Sequence, residues 1–115
     1  MTYAKEFEKE IVRLLCESHL DKELIDKICD MESSDYDYSG CGYFIFYKHS
    51  DLPKRRIVCS KPNLLGEWNN ILSGFIIFIE DHEIMFECYT NGETEVPENY
   101  RHNGVHFFNG RSTRS

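Results

Sequence analysis

Gly74-Phe75-Ile76-Ile77-Phe78-Ile79-Glu80 runs into Asp81-His82 and returns as Glu83-Ile84-Met85-Phe86-Glu87-Cys88-Tyr89. Two arms rich in β-branched and aromatic residues, joined by two polar residues, spell an antiparallel hairpin. In the return arm Ile84, Phe86 and Cys88 alternate with Glu83, Met85 and Glu87, which predicts one buried and one mostly wet face. The outgoing arm is apolar throughout Phe75 to Ile79, which predicts a central strand covered by helices.

Strand signal also precedes the hairpin. Tyr43 to Tyr47 is a continuous aromatic and β-branched run, and Arg56-Ile57-Val58-Cys59 is a shorter one. His49-Ser50-Asp51-Leu52-Pro53 reads as the turn between them, so the two runs are expected to pair antiparallel. Residues 61–70, with Pro62, Gly66 and asparagines, read as a longer excursion. After the hairpin, Asn91-Gly92 reads as a turn and Pro97-Glu98-Asn99-Tyr100 as a helical turn or tight loop. A short strand is expected from Val105 to Phe108, followed by a basic, unstructured end.

The N-terminal part has a different period. Tyr3, Phe7, Ile11, Leu14 and Leu15 recur at spacings of three and four, predicting a helix over 3–17 with Thr2 as its cap. Glu6, Glu8 and Glu10 lie in its early turns, where the helix dipole favours carboxylates. Ser18 or Asp21 caps a second helix whose stripe is Leu20, Leu24, Ile28 and Met31, ending near Asp30. Ser33-Ser34-Asp35-Tyr36-Asp37-Tyr38-Ser39-Gly40 then reads as a polar loop. Helices followed by strands predict an α+β domain, with two N-terminal helices packed on an antiparallel sheet of about five strands. One domain is expected over 1–115: helical over 1–31, mainly strands over 42–109, and a flexible tail over 110–115.

The composition suits such a domain: 115 residues, 41% hydrophobic and 14% aromatic. Thirteen basic against 20 acidic residues give a net charge of −7. Up to Tyr47 there are 11 Asp and Glu against 5 Lys and Arg, while the remainder holds 9 against 8. Nucleic acid and anionic membranes are poor ligands for this balance, and a basic protein is a good one. The longest apolar run, Phe75 to Ile79, is far short of the ~20 residues a membrane helix needs. Five widely spaced cysteines, with no CxxC and no secretory signal, point to free thiols and a cytoplasmic protein.

Chemical motifs are thin. His102 and His106 have helical ligand spacing, but Asn103-Gly104 between them breaks a helix, so no metal and no cofactor are expected. A nucleophile assembled from Cys41 with His82 or His49 and Asp81 has no local support. Glu80, Glu83 and Glu87 flank the hairpin turn on its wet side. Lys54-Arg55-Arg56, the basic cluster, reads as protection of a strand edge. No catalytic residue is assigned, and a protein that is not an enzyme is expected.

Two segments have the character of an interaction surface. Asp35, Tyr36, Asp37 and Tyr38 combine carboxylates and aromatics without a base, and Glu67-Trp68 places the single tryptophan in a polar stretch. Such residues engage lysines and arginines of a partner, so these six are the candidate partner-binding residues; the alternative is that the tyrosines fold back on the core and Trp68 is a lid on it.

Several pieces resemble a known family. Gly42-Tyr43-Phe44, Lys48-His49-Ser50-Asp51-Leu52-Pro53, Arg56-Ile57-Val58-Cys59-Ser60, Gly74-Phe75-Ile76-Ile77-Phe78, Glu87-Cys88-Tyr89 and Val96-Pro97-Glu98-Asn99-Tyr100-Arg101 are similar to segments of small bacterial proteins of polymorphic toxin loci. The resemblance, over residues 42–101, is to immunity proteins of contact-dependent growth inhibition systems. It implies a non-catalytic cytoplasmic protein that binds and neutralises the C-terminal domain of a cognate toxin. A nuclease toxin, with the basic surface its substrate demands, would suit the acidic charge. Immunity proteins vary most where they touch their toxins, so the resemblance assigns no binding residue. The alternative expectation is a small adaptor or regulatory module with a cellular partner.

Overall fold

The computed structural model describes residues 2–90 and 95–110. The expected turn at Asn91-Gly92 and the tail beyond residue 110 lie outside the described residues. Helix α1 spans Glu6–Cys16 and α2 spans Lys22–Asp30. Seven strands follow: β1 Asp35–Tyr38, β2 Gly42–Lys48, β3 Ile57–Cys59, β4 Leu64–Trp68, β5 Ile71–Glu80, β6 Glu83–Tyr89 and β7 His106–Asn109. A 3₁₀ turn at Tyr100–His102 precedes β7. The α+β class with two helices on an antiparallel sheet is as expected, with seven strands where about five were expected.

All pairings are antiparallel, in the order β1-β2-β6-β5-β4-β7, with β3 on β5 beyond the end of β4. The β5–β6 hairpin has the expected register, Glu80 opposite Glu83 and Gly74 opposite Tyr89. Asp81 and His82 take positive φ values of 53° and 64°, the twist that a two-residue hairpin turn requires.

Four local expectations are corrected. The stretch Asp35–Tyr38 is an edge strand rather than a loop, because Tyr36 and Tyr38 have partners beneath the sheet. Residues 61–70 contain β4, which turns into β5 through Asn69 and Asn70 at φ 55° and 66°. That turn is a second two-residue hairpin, since asparagine tolerates the left-handed region. The runs at Tyr43–Tyr47 and Ile57–Cys59 do not pair: β2 lies between β1 and β6, and β3 lies on β5. Finally α1 begins after Lys5, where the Glu8 carboxylate accepts the Lys5 backbone N–H at 2.8 Å; Thr2 is not its cap. The cap of α2 is Asp21, one of the two expected.

The core fills the space between the helices and one face of the sheet. Ile11, Val12, Leu15, Ile25 and Ile28 from the helices meet Tyr43, Ile45, Ile77, Ile79, Ile84 and Phe86 from the strands. Cys16, Cys29, Cys59 and Cys88 are free and buried there as small apolar fillers. Among the described residues no helix is long and apolar enough to cross a membrane.

One polar network lies inside this layer. Glu8 is 1% exposed and Arg101 is 3% exposed. Arg101 donates from Nη2 to Glu8 Oε1 at 2.6 Å and from Nε to Glu8 Oε2 at 2.8 Å. Its remaining donors reach Thr2 Oγ1 and the Tyr3 carbonyl, each at 3.0 Å. The Tyr43 hydroxyl donates to Glu8 Oε2, and the Arg101 guanidinium lies 5.4 Å from the Tyr36 ring centroid and 5.7 Å from that of Tyr43. Burial, with the Glu8 charge beside it, holds the Tyr43 hydroxyl well above its ordinary pKa. By contrast the buried Tyr47 hydroxyl has no hydrogen-bond partner among the described residues.

Two stability predictions follow from these contrasting polar groups. Arg101→Ala strands a buried carboxylate and should cost about 3–5 kcal/mol in urea denaturation, with Arg101→Lys recovering only part because an ammonium lacks the planar fork. Tyr47→Phe removes an unsatisfied hydroxyl and should leave stability unchanged or raise it by about 1 kcal/mol in the same assay.

Candidate functional site

Alternation along each strand sends half of the sheet's side chains away from the helices. The registers align them in rows. Asp35, Phe46, Met85, Phe78 and Val58 form one row across β1, β2, β6, β5 and β3. Asp37, Phe44, Glu87 and Ile76 form the next. Towards one end lie Lys48, Glu83 and Glu80; towards the other, Tyr89, Gly74, Leu65 and Phe108, with Leu72, Glu67 and His106 beyond. Gly74 leaves room for Tyr89: a Cβ at that position would stand 2.6 Å from the Tyr89 ring.

No described element covers these rows, and the molecule is 22 Å across its thinnest axis, the depth of one sheet and one helix layer. Leu72, Val58, Tyr89 and Phe108 are exposed, and Phe44, Phe46, Ile76, Phe78 and Met85 are half-buried. At about 4.8 Å per strand and 3.3 Å per residue the face measures on the order of 600 Å². Aromatic and aliphatic side chains mixed with carboxylates are the chemistry of protein interfaces, to which one partner contributes ~800 Å² in a standard case. Asp35, Asp37, Glu67, Glu80, Glu83 and Glu87 share the face with the cations Lys48 and Arg56.

The six candidate partner-binding residues divide between the two sides of the sheet. Asp35, Asp37 and Glu67 project onto the open face. Tyr36 stacks at 5.8 Å from Tyr43 over Arg101, the Tyr38 hydroxyl donates to the Val96 carbonyl, and Trp68 packs edge-on against Tyr100. These three aromatics serve the helix side. Glu67 also lies four strand spacings from the β1 acids, about 19 Å across the sheet, so the acids border the face from opposite sides. The aromatic surface between them is supplied by Phe44, Phe46, Ile76, Phe78 and Met85. The sequence signal for it was present in the runs 43–47 and 75–79, both apolar in each register.

Catalytic groups are not brought together. Cys41 precedes β2 at one end of the sheet, while His49, Asp81 and His82 cluster at the other, about 20 Å away along the strand. His82 Nδ1 instead lies 2.7 Å from the Leu52 carbonyl oxygen. Among the described residues no group of three or more His, Cys, Asp and Glu could hold a metal ion. Glu80, Glu83 and Glu87 lie on the open face, as their alternation suggested. Cys88 is pushed up to about 12 by burial, which keeps the thiol protonated.

Glu87 is the carboxylate most affected by this face. Flanked in register by Phe44 and Ile76, it is partly desolvated and its pKa is raised. A raised carboxylate favours the folded state when protonated and opposes it when charged. Glu87→Gln should therefore stabilise the protein at pH 7 by less than about 1 kcal/mol, the screened value of a part-exposed charge. The gain should vanish below about pH 4, where the unfolded chain's carboxyl is also neutral. Thermal melts of both proteins across this range check the sign. In comparisons with known proteins, no family model, no curated protein and no solved structure matched the chain.

Proposed function

We propose that the protein is a non-catalytic binding protein that captures and neutralises a basic partner domain, acting as an immunity protein against a cognate toxin. The observation that carries this reading is the open face of the sheet. It is aromatic at its centre, carries Glu87 among the aromatics and five further carboxylates around them, and is left uncovered by every described element. Toxins that cut nucleic acid need a basic surface to hold phosphates, and an acidic counterpart both attracts and occludes that surface. The aromatic rows supply the desolvated contact that slows dissociation. The resemblance of residues 42–101 to immunity proteins supports the same reading and a cytoplasmic place of action.

Producing this protein should protect cells against the toxin domain encoded beside its gene, and the two should co-purify. Absence of protection in cells shown to contain the folded protein sinks the proposal, while a stable complex with a cellular protein instead favours an adaptor. In the complex, replacing Asp35 and Asp37 together by Asn should mainly lower the association rate and flatten its salt dependence. Tyr36→Ala and Tyr38→Ala should act chiefly on folding stability, since both side chains face the helix layer. Binding kinetics at two salt concentrations, beside urea denaturation, separate the two effects.

A further inference from the structure

We propose that a cleft in the open face, floored by Phe46, Phe78 and Met85 and rimmed by Glu80 and Glu83, is the seat for one arginine side chain of the partner. The proposal rests on the reading of this face as a protein-binding surface and names the group that it grips. The cleft has a volume of about 250 Å³ and is lined by Phe46, Arg56, Phe78, Glu80, Glu83 and Met85. Its floor is one register row, Phe46 beside Met85 beside Phe78, and its carboxylates are the next, Glu83 beside Glu80.

The chain itself shows which chemistry this arrangement accepts. The Arg56 guanidinium lies 5.2 Å from the Phe78 ring centroid, and its Nη1 is 3.3 Å from Glu80 Oε1. A flat cation on an aromatic face, with a carboxylate at its edge, is the geometry in which arginine combines a cation–π contact with an ion pair. Only half of the cleft is used in this way. Phe46, Met85 and Glu83 offer the same combination of apolar floor and carboxylate. Among the described residues no cation pairs with Glu83, although Lys48 is its cross-strand neighbour.

Arg56 is also easily displaced. Its side chain is 59% exposed and that of Glu80 is 52% exposed, so solvent and salt weaken the bond between them. A partner's arginine enters over Phe46 and Met85, pairs with Glu83, and takes over the Phe78 face as Arg56 swings into solvent. Arg56 thus acts as a placeholder that keeps the aromatic floor covered until the partner arrives. A guanidinium suits the site better than an ammonium, because its planar face stacks on the rings while its edge meets the carboxylates.

The probe is a capped pentapeptide with one arginine between glycines, alongside the same peptide carrying lysine or citrulline, a neutral isostere of arginine. Each is titrated into the isotope-labelled protein and followed by NMR. The arginine peptide should shift the Met85 methyl and the Phe46 and Phe78 amides, more strongly than the lysine peptide, and the citrulline peptide should shift them little. Glu83→Gln and Phe78→Leu should each weaken binding by about two- to fivefold, the size of an exposed cation–π or ion-pair contact. Arg56→Gln should strengthen it by a similar factor, an effect that a merely structural arginine would not produce.

Equal binding of the citrulline peptide overturns the proposal, as does weaker binding by Arg56→Gln. Shifts confined to Asp35 and Asp37 also overturn it, but leave the open face standing as an acidic docking surface. Growth protection separates the two readings independently. Protection lost on changing Asp35 and Asp37, but kept in Glu83→Gln and Phe78→Leu, removes the arginine seat and retains the immunity role. The amide spectrum of each variant verifies its fold before any peptide is added.

Discussion

Glu8 and Arg101 stand 93 residues apart and meet inside the protein, sealed from water. An uncompensated charge in that place would be costly, so each residue is tolerable only when the other is in position. The pair also recruits its surroundings. Glu8 holds the start of α1 through the Lys5 N–H and one strand of the sheet through Tyr43, while Arg101 ties down Thr2 and the Tyr3 carbonyl. A planar fork meeting a carboxylate through two bonds admits one orientation, so the junction sets an angle as well as a distance. The chain leaving Arg101 enters β7 only five residues later, and β7 pairs with β4 at the edge of the sheet. The relation between the helix layer and the far edge of the sheet therefore depends on this contact.

Closing the helix side so completely has an effect on the other side. Ring hydroxyls, thiols and aliphatic side chains from both layers fill the interior, and two short helices are all the helical material the described chain provides. The reverse of the sheet must meet solvent or a partner. Its aromatic centre is expensive to leave in water, and Tyr89 lying across Gly74 and Arg56 lying over Phe78 partly shield it. The acids stand among the aromatics rather than in a separate block, so charge accompanies the apolar surface across the face.

Much of this architecture is legible along the chain where the physics is local. The helix pair follows from spacings of three and four, and the β5–β6 hairpin from two apolar arms and a two-residue turn. The misreadings have physical causes. Asp35–Tyr38 lacks apolar alternation because its inward residues are tyrosines that bind polar partners, Arg101 and the Val96 carbonyl. Leu64–Trp68 was masked by Gly66 and by Asn69-Asn70, which form a hairpin turn instead of a loop. The pairing of β3 with β5 reflects distance in space, which adjacency in sequence does not convey. Phe46, Phe78 and Met85 escaped notice because an apolar residue on a strand reads as core, and only tertiary structure says which face is closed. The acids were visible; their separation to opposite borders of one surface was not.

The strict in-and-out alternation of β1 keeps two tasks from sharing side chains. Tyr36 and Tyr38 anchor the strand from beneath, while Asp35 and Asp37 on the same four residues face the open side, Asp35 accepting the backbone N–H of Tyr36 at 2.8 Å. Changes at sites without shared partners add almost independently. The outward carboxylates of β1 can therefore be exchanged at little cost to folding. Under the proposed binding role, that border of the face can be retuned by single substitutions, each intermediate remaining a stable protein.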